Sequence, residues 1–462
     1  MEKTIKNIIL ITGFTLSLLS CSAPQHFHRE NTDTTGLFGG SATNDSTTIA
    51  DKPWQEVFAE KHLQQLILEG LKNNPDLQIA IQKVTQADAY FKQSRASLLP
   101  DISLLANGSY TKNPETLYPA GPFNVGVYQL GAEASWEIDL WGKLRSSKRA
   151  AYAILLASDA GKKEVQTRLV SEIATAYYAL IGLDEKLVIT RETVKDEIEQ
   201  VETMKVLKES GKVTGAAIVQ TEANRYAAEV TIPDLEQQIR ETEAIICLLL
   251  GRVPGTIDRG KIEEQTLQTA LKAGVPARLL DNRPDVLQAE YGVMSAFETT
   301  NSARASFYPA LTLTASVGFV ATELNQFFNP TTFAANILGG LTQPLFNKRI
   351  NTSHLKVAKA QQEIALISFR NTLLKAGQEV TNALSSYELS VRKIALRKLQ
   401  LEALVKSVDY TKQLLTYGSA NYTEVLTAQT NLLAAQLSSI NDRLQQLNAL
   451  VTFYRAVGGG WK

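Results

Sequence analysis

The chain has 462 residues, with 47 Lys and Arg against 47 Asp and Glu and no net charge at neutral pH. At roughly 150 residues per domain such a length predicts about three domains, and the charge balance excludes the one-signed field by which general nucleic-acid binders work. Hydrophobic residues make up 44% and mean hydropathy is −0.10. Beyond the N-terminus no run reaches the roughly 18 apolar residues of a spanning helix.

Lys3 and Lys6 precede an apolar run from Ile8 to Leu19. At ~1.5 Å per residue the run covers about 18 Å of a bilayer core roughly 30 Å thick, which predicts an export signal rather than a spanning helix. It ends in Leu18-Leu19-Ser20-Cys21, which resembles a bacterial lipobox. Residues 1–20 are then the signal peptide, and Cys21 is the lipidated first residue of the mature chain, held at a membrane by its acyl groups. Residues 21–52 are rich in Ser, Thr, Asn and Gly without apolar periodicity and predict a flexible tether, with His26 and His28 as solvated linker residues.

The rest of the chain is a duplication. Residues 76–110 align without gaps to 285–319, including Arg95-Ala96-Ser97 with Pro100 against Arg304-Ala305-Ser306 with Pro309. Asp139-Leu-Trp-Gly-Lys143 then matches Pro344-Leu-Phe-Asn-Lys348, and Gly211, Asn224 and Gly251 pair with Gly418, Asn431 and Gly458. Three domains are therefore replaced by two equivalent halves, 53–260 and 261–462, each reading helix, strand, strand, very long helix, long helix. No proline interrupts 142–209 or 347–417, and each stretch would be a helix of roughly 100 Å. Val380, Tyr387, Ile394, Leu401, Val408 and Leu415 recur every seven residues, with Leu384, Val391 and Val405 between them. Ile173, Leu180, Leu187, Val194 and Val201 repeat the pattern, which predicts coiled-coil packing. Arg191, Lys205, Lys398 and Lys412 interrupt the seam and predict positions facing water or a neighbouring carboxylate. Gly211 and Gly418 mark the chain reversals, and Pro233 predicts a kink or break in its helix.

Four segments alternate with period two: about 100–112, 123–140, 309–321 and 333–346. In the second, Tyr128, Leu130, Ala132, Ala134, Trp136 and Ile138 share one face, and Gln129, Glu133, Glu137 and Asp139 the other. Strands that are apolar outside and polar inside, bounded by aromatics such as Tyr110, Trp136 and Trp141, suit a transmembrane β-barrel. A spanning sheet must close on itself, and the smallest closed barrels have about eight strands. Two, three or four chains would thus have to contribute equally.

The Trp136-Glu-Ile-Asp-Leu-Trp-Gly-Lys143 segment, Val275-Pro-Ala-Arg-Leu-Leu-Asp-Asn-Arg-Pro-Asp-Val286, the block from Ala303 to Phe319 and the segment from Gly418 to Asn431 together resemble the outer-membrane efflux protein family, the TolC-like channels, and specifically its lipoprotein branch. The resemblance covers essentially all of the mature chain. It implies a homotrimer whose twelve-stranded outer-membrane barrel continues as a periplasmic α-helical coiled-coil barrel. Its implied partners are a periplasmic adaptor and an inner-membrane RND-type pump, with export of drugs, toxic small molecules or metal ions from a Gram-negative cell. It also implies a pore constriction at Glu424, with Thr427 where the family often has a second acid and Gln220 as the first-half counterpart. Adaptor-contacting tips fall at Gly211, Lys212, Val213, Thr214 and Gly215, and at Gly418, Ser419, Ala420 and Asn421, with Ala420 replacing the family's tip arginine. Glu133, Glu137 and Asp139 would line the barrel lumen.

No P-loop, HExxH, dinucleotide turn or nucleophile motif is present, which predicts a conduit without cofactor or metal and not an enzyme. Two cysteines and four scattered histidines supply neither a disulfide scaffold nor a zinc site. A non-conducting, lipid-anchored coiled-coil protein would explain the heptads and Cys21 but not the four strands.

Overall fold

The computed structural model describes residues 27–28, 37, 48–112, 124–265, 279–417, 419 and 421–462. Helices α1 (Trp54–Val57), α2 (Lys61–Asn73) and α3 (Pro75–Ala96) lead into strands β1 (Asp101–Lys112) and β2 (Asn124–Ile138). The long helix α4 (Lys143–Glu209) follows, and the chain returns through α5 (Gly215–Glu229) and α6 (Thr231–Leu249). The second copy comprises α7 (Leu279–Asn282), α8 (Pro284–Ala305), β3 (Ala310–Ala321), β4 (Phe333–Thr342), α9 (Ile350–Thr416) and α10 (Tyr422–Ala456). The duplication is kept in the lengths. Helices α3 and α8 have 22 residues each, β1 and β3 have 12, and α4 and α9 have 67.

Side-chain caps set the helix starts. The Glu60 carboxylate accepts from the His62 and Leu63 amides at 3.1 and 2.7 Å to open α2. Asn74 accepts from Leu77 N at 3.0 Å and donates to the Leu249 carbonyl at 2.8 Å, so one side chain both opens α3 and ties it to the end of α6. Pro75 and Pro284 occupy first-turn positions, where a missing N–H costs nothing. The break predicted at Pro233 lies between α5 and α6, with Pro233 as the third residue of α6. Proline has no N–H to donate back to the Glu229 carbonyl, and the Thr231 hydroxyl instead donates to Ala228 O at 2.8 Å.

Two compact units emerge. Val84–Ser158 and Ala289–Phe369 hold the sheet, whose strands run in the order β1-β2-β3-β4, all antiparallel. Beneath it Arg149 makes a bidentate pair with the buried Glu298 at 2.7 and 2.8 Å, and Ser147 bonds Ser302 at 2.9 Å, locking α4 to α8. Trp141 stacks on Tyr308 with centroids 5.1 Å apart and donates to Pro309 O at 2.8 Å. Phe27 packs edge-on against Phe297 at 5.7 Å. Strand β2 stops at Ile138 and β4 at Thr342, short of the ends that alternation predicts. Asp139 turns to serve α4, and Pro344 has no N–H to extend the ladder.

The second unit is helical, with a core of fully buried Phe58, Leu63, Ile67, Ile173, Tyr177, Leu180, Ile246, Leu250, Phe453 and Tyr454. Helices meet closely where glycine permits it. A Cβ on Gly182 would lie 2.6 Å from Leu444 Cδ1, and one on Gly377 2.6 Å from the Leu37 carbonyl. Of the seven-residue positions, Ile173, Leu180, Val194, Val201, Val380, Tyr387 and Val408 are buried, while Leu187, Ile394, Leu401 and Leu415 are half-buried. The intermediate positions Val391 and Val405 are exposed in the single chain. Of the seam cations, Arg191 pairs with Glu236 and Lys205 with Glu202, each at 2.7 Å, while Lys398 and Lys412 are exposed.

Candidate functional site

Two regions carry the predicted functional residues: the sheet and the hairpin tips. In the sheet, cross-strand register preserves the two faces through all four strands. One row is Leu104, Ala132, Val317 and Ala335, and the next is Ile102, Ala134, Ala315 and Ile337. On the opposite face Ser103, Glu133, Ser316 and Asn336 form a polar row. Directly paired residues share a face, so a single residue of slip at any pair would mix the two sets. The apolar face is open: Ile102, Leu104, Ile337 and Leu341 are 72%, 86%, 76% and 66% exposed. Contiguous exposure of this kind marks a surface meant for an apolar partner.

The predicted lumen residues divide by their neighbours. Glu133 lies within the polar row. Glu137 accepts from Lys143 at 2.9 and 3.3 Å, near the end of β2. Asp139 lies one residue past β2, where its carboxylate accepts from the Leu144 and Arg145 amides at 3.1 and 2.9 Å and from Arg145 Nε at 3.0 Å. Its charge is committed to opening α4. On the polar face Gly131 pairs with Gly318, and a Cβ on Gly318 would sit 2.3 Å from Leu130 O and 2.5 Å from Gly131 Cα. Only paired glycines allow β2 and β3 this approach.

At the tips, α4 closes with Gly211 at φ +68°, Gly211 N donating to Lys208 O and Lys212 N to Leu207 O, both at 2.9 Å. This double bond pattern satisfies the last carbonyls and requires a left-handed residue at the turn. Helix α9 ends with Ser419 N donating to Leu414 O at 2.9 Å, while Gly418 and Ala420 lie outside the described residues, as does Cys21. Helix α10 starts with Asn421, whose side chain accepts from Glu424 N at 3.2 Å. Thr214, at the same place in the first copy, makes no side-chain cap. The two tips share a small core of Met204, Tyr422 and Val425, packed by Leu207, Ile218 and Leu415. Burial and then the Glu197 carboxylate push the Tyr422 phenol above its ordinary value, so it stays neutral. Glu424, Thr427 and Gln220 are all exposed outside this core. A cavity of about 670 Å³ opens between the tips, lined by Lys212, Thr214, Gln220, Tyr417, Asn421 and Thr423 among others. Gln220 and the tip residues Lys212, Val213, Thr214 and Asn421 therefore line one cavity.

Among the described residues no three or more His, Cys, Asp or Glu side chains converge as metal ligands, and no helix is long and apolar enough to cross a membrane. Cys247 is fully buried, its thiol 3.4 Å from Gly255 O.

Comparison with known proteins places this arrangement. The family model described as outer membrane efflux protein matches residues 66–252 and 275–459, one match in each copy. The chain is 27% identical to the solvent efflux pump outer membrane protein SrpC of Pseudomonas putida, covering 92% of this chain and 91% of that one. It is 26% identical to the probable outer membrane lipoprotein SilC of Salmonella typhimurium, covering 92% of each. The crystal structure of the Campylobacter jejuni CmeC outer membrane channel superposes with a TM-score of 0.86 at 22% identity, covering 95% of both chains, and bears on the fold alone. With both copies of the repeat matched, the chain belongs to the outer membrane efflux protein family, the TolC-like channels.

Proposed function

We propose that three copies of this chain form the exit duct of a tripartite efflux system, twelve strands spanning the outer membrane and twelve long helices extending into the periplasm. The observation that carries the reading is the four-stranded sheet, whose apolar and polar faces stay in register while β1 and β4 each keep an edge unpaired among the described residues. Open edges in lipid cost several kcal/mol per unpaired group, so the sheet must complete itself with other copies. The exposed Val391 and Val405 support the same conclusion for the helices. Cys21 is the lipid anchor, for which the resemblance to SilC is further support. An inner-membrane RND-type pump would supply drugs, toxic small molecules or metal ions, and a periplasmic adaptor would grip the tips at Gly211–Gly215 and Gly418–Asn421. The duct makes and breaks no bonds, so it is not an enzyme. Heat-resistant trimers from outer-membrane extracts should conduct as single channels in planar bilayers; monomers without conductance would overturn the reading.

In the trimer Glu424 contributes a ring of three carboxylates that favours cations, with Thr427 and Gln220 as its uncharged neighbours. Glu424→Ala should weaken cation selectivity in bilayers, and unchanged selectivity would remove Glu424 from the constriction. Opening is a small untwisting of the hairpins biased by the adaptor. Cysteines at Thr214 and Asn421, once crosslinked, should block transport; transport that survives confirmed crosslinking rejects the gate.

A further inference from the structure

The segment between β3 and β4 lies at the end of the sheet away from the helices. It is built of two short 3-10 turns, Leu324–Gln326 and Pro330–Thr332. Several of its polar groups bond within it. Asn329 Oδ1 accepts from Thr331 N at 3.0 Å and from Thr331 Oγ1 at 2.8 Å. The Thr332 hydroxyl lies 2.8 Å from Phe327 O and 2.7 Å from Asn329 O, and Gln326 donates to Glu323 at 3.3 Å. These bonds hold the loop against itself. Its apolar side chains are nevertheless presented outward, Leu324 being 68% and Phe328 74% exposed.

The direction of that presentation follows from the rings. Phe319 and Phe333 are cross-strand partners on the apolar face, with centroids 5.9 Å apart. Phe327 and Phe328 both lie against Phe319, at 6.4 and 5.9 Å, and against each other at 5.2 Å. Phe327 is thereby buried to 9% exposure, while Phe328 stays open. The loop therefore folds over the apolar side of the sheet and away from the polar row of Glu133, Ser316 and Asn336. The open ring of Phe328 continues the same apolar surface, and that continuity identifies the occupant.

We propose that residues 322–332 are an interfacial lipid anchor, with Leu324 and Phe328 seated in the acyl–headgroup boundary of the outer leaflet. Aromatic side chains at the rim of a spanning sheet hold its vertical position in the bilayer. A loop pinned outward in this way does not fold across the outer mouth. The inference rests on the reading that the apolar sheet face touches lipid, and the experiment separates the two.

Nitroxide labels are placed on cysteines substituted one at a time for Phe328, Leu324, Ile337 and Ser316 in the full chain, reconstituted in phospholipid vesicles. Unsubstituted protein serves as the blank, since Cys247 is fully buried. Collision with oxygen, which partitions into lipid, is compared with collision with a water-soluble nickel chelate. The oxygen-to-nickel ratio should be several-fold higher at 328, 324 and 337 than at 316, and lower at 328 than at 337 because the anchor is shallower. Nickel access at 328 with 337 in lipid would put the loop in water and overturn the anchor. Access to neither reagent at 328 would mean that a neighbouring protein surface covers it, which also overturns the anchor. Nickel access at 337 would overturn the lipid-facing reading of the sheet and the anchor with it.

Discussion

The return helix of the second copy, α10, runs unbroken from Tyr422 to Ala456, whereas its counterpart is divided into α5 and α6 near Pro233. Pro233 corresponds to Ile440, which is 6% exposed. The ties between paired helices differ as well. In the second copy Asp442, with a side chain only 2% exposed, takes Lys393 at 2.7 Å and Arg397 at 2.8 Å from α9. In the first, Arg191 of α4 meets Glu236 of α6 at 2.7 Å, but their side chains are 57% and 39% exposed. One return helix is continuous and bolted directly to its partner, while the other carries a joint and is tied by the exposed Arg191–Glu236 pair and, through the following loop, by Arg259, which joins Asp184 of α4 to Glu243 of α6. Equal lengths in α4 and α9 thus coexist with unequal continuity in what returns alongside them.

The largest effect should come from moving the joint. Ile440→Pro removes an α10 hydrogen bond and buried packing and should cost about 3 kcal/mol or more. Pro233→Ala should change stability by no more than about 1 kcal/mol, because that copy has already adapted to the break. Urea unfolding followed by far-ultraviolet circular dichroism checks both, and equal costs would show that the break has no mechanical meaning.

Next in size, Asp442→Asn should cost about 1–2 kcal/mol by leaving two cations without their carboxylate. Glu236→Gln should fall within about 1 kcal/mol of the parent, as exposed pairs do. The pH dependence follows the same division. Burial alone would push the Asp442 carboxyl up, but Lys393 and Arg397 outweigh it and hold it below the ordinary carboxylate value. A depressed folded value contributes stability above the unfolded value of about 3.9, and that contribution is lost as pH falls through the folded value. Protection against hydrogen exchange in the α9–α10 hairpin, taken relative to the intrinsic amide rate at each pH, should therefore fall below about pH 4 in the parent and much less so in Asp442→Asn.

The smallest effect concerns the caps. Asn421→Ala should loosen the first turn of α10 by about 1 kcal/mol, and Thr214→Ala should leave α5 nearly unchanged, since only the former side chain caps its helix. Amide exchange at Thr423 and Glu424, compared with Ala216 and Ala217, measures this directly.

Much of this architecture is legible in the sequence, for identifiable reasons. Proline-free stretches between Gly142 and Gly211 and between Asn347 and Gly418 leave nothing to stop a long helix. Strand faces were legible because alternation is enforced wherever one side meets an apolar medium. Period two continues through Glu137 and Asp139, however, and alternation cannot reveal where a strand stops. The useful signal was Asp139 standing four residues before Lys143, close enough for its side chain to reach the amides of a starting helix. The Arg149–Glu298 and Asp442 ties join residues far apart in sequence, and no local spacing encodes them. Heptads predict the buried positions Val380 and Val408, but they do not distinguish positions covered within the chain from the half-buried Ile394 and Leu401 or from Val391 and Val405, which it leaves open. At the tips, the turn glycine Gly211 was legible, whereas the shared core of Met204, Tyr422 and Val425 depends on side chains from both halves.

The order β1-β2-β3-β4 has a consequence for how the protein comes into being. A newly exported chain carries raw hydrogen-bonding groups along β1 and β4 and a broad oily flank between them, and none of its described residues covers either. Such a chain is a template for any strand it meets, its own copies included. Maturation should therefore depend steeply on local copy number. Crowding of new chains at one patch of membrane would speed completion, and dilution would lengthen the interval in which chaperones must shield the edges and proteases can reach them.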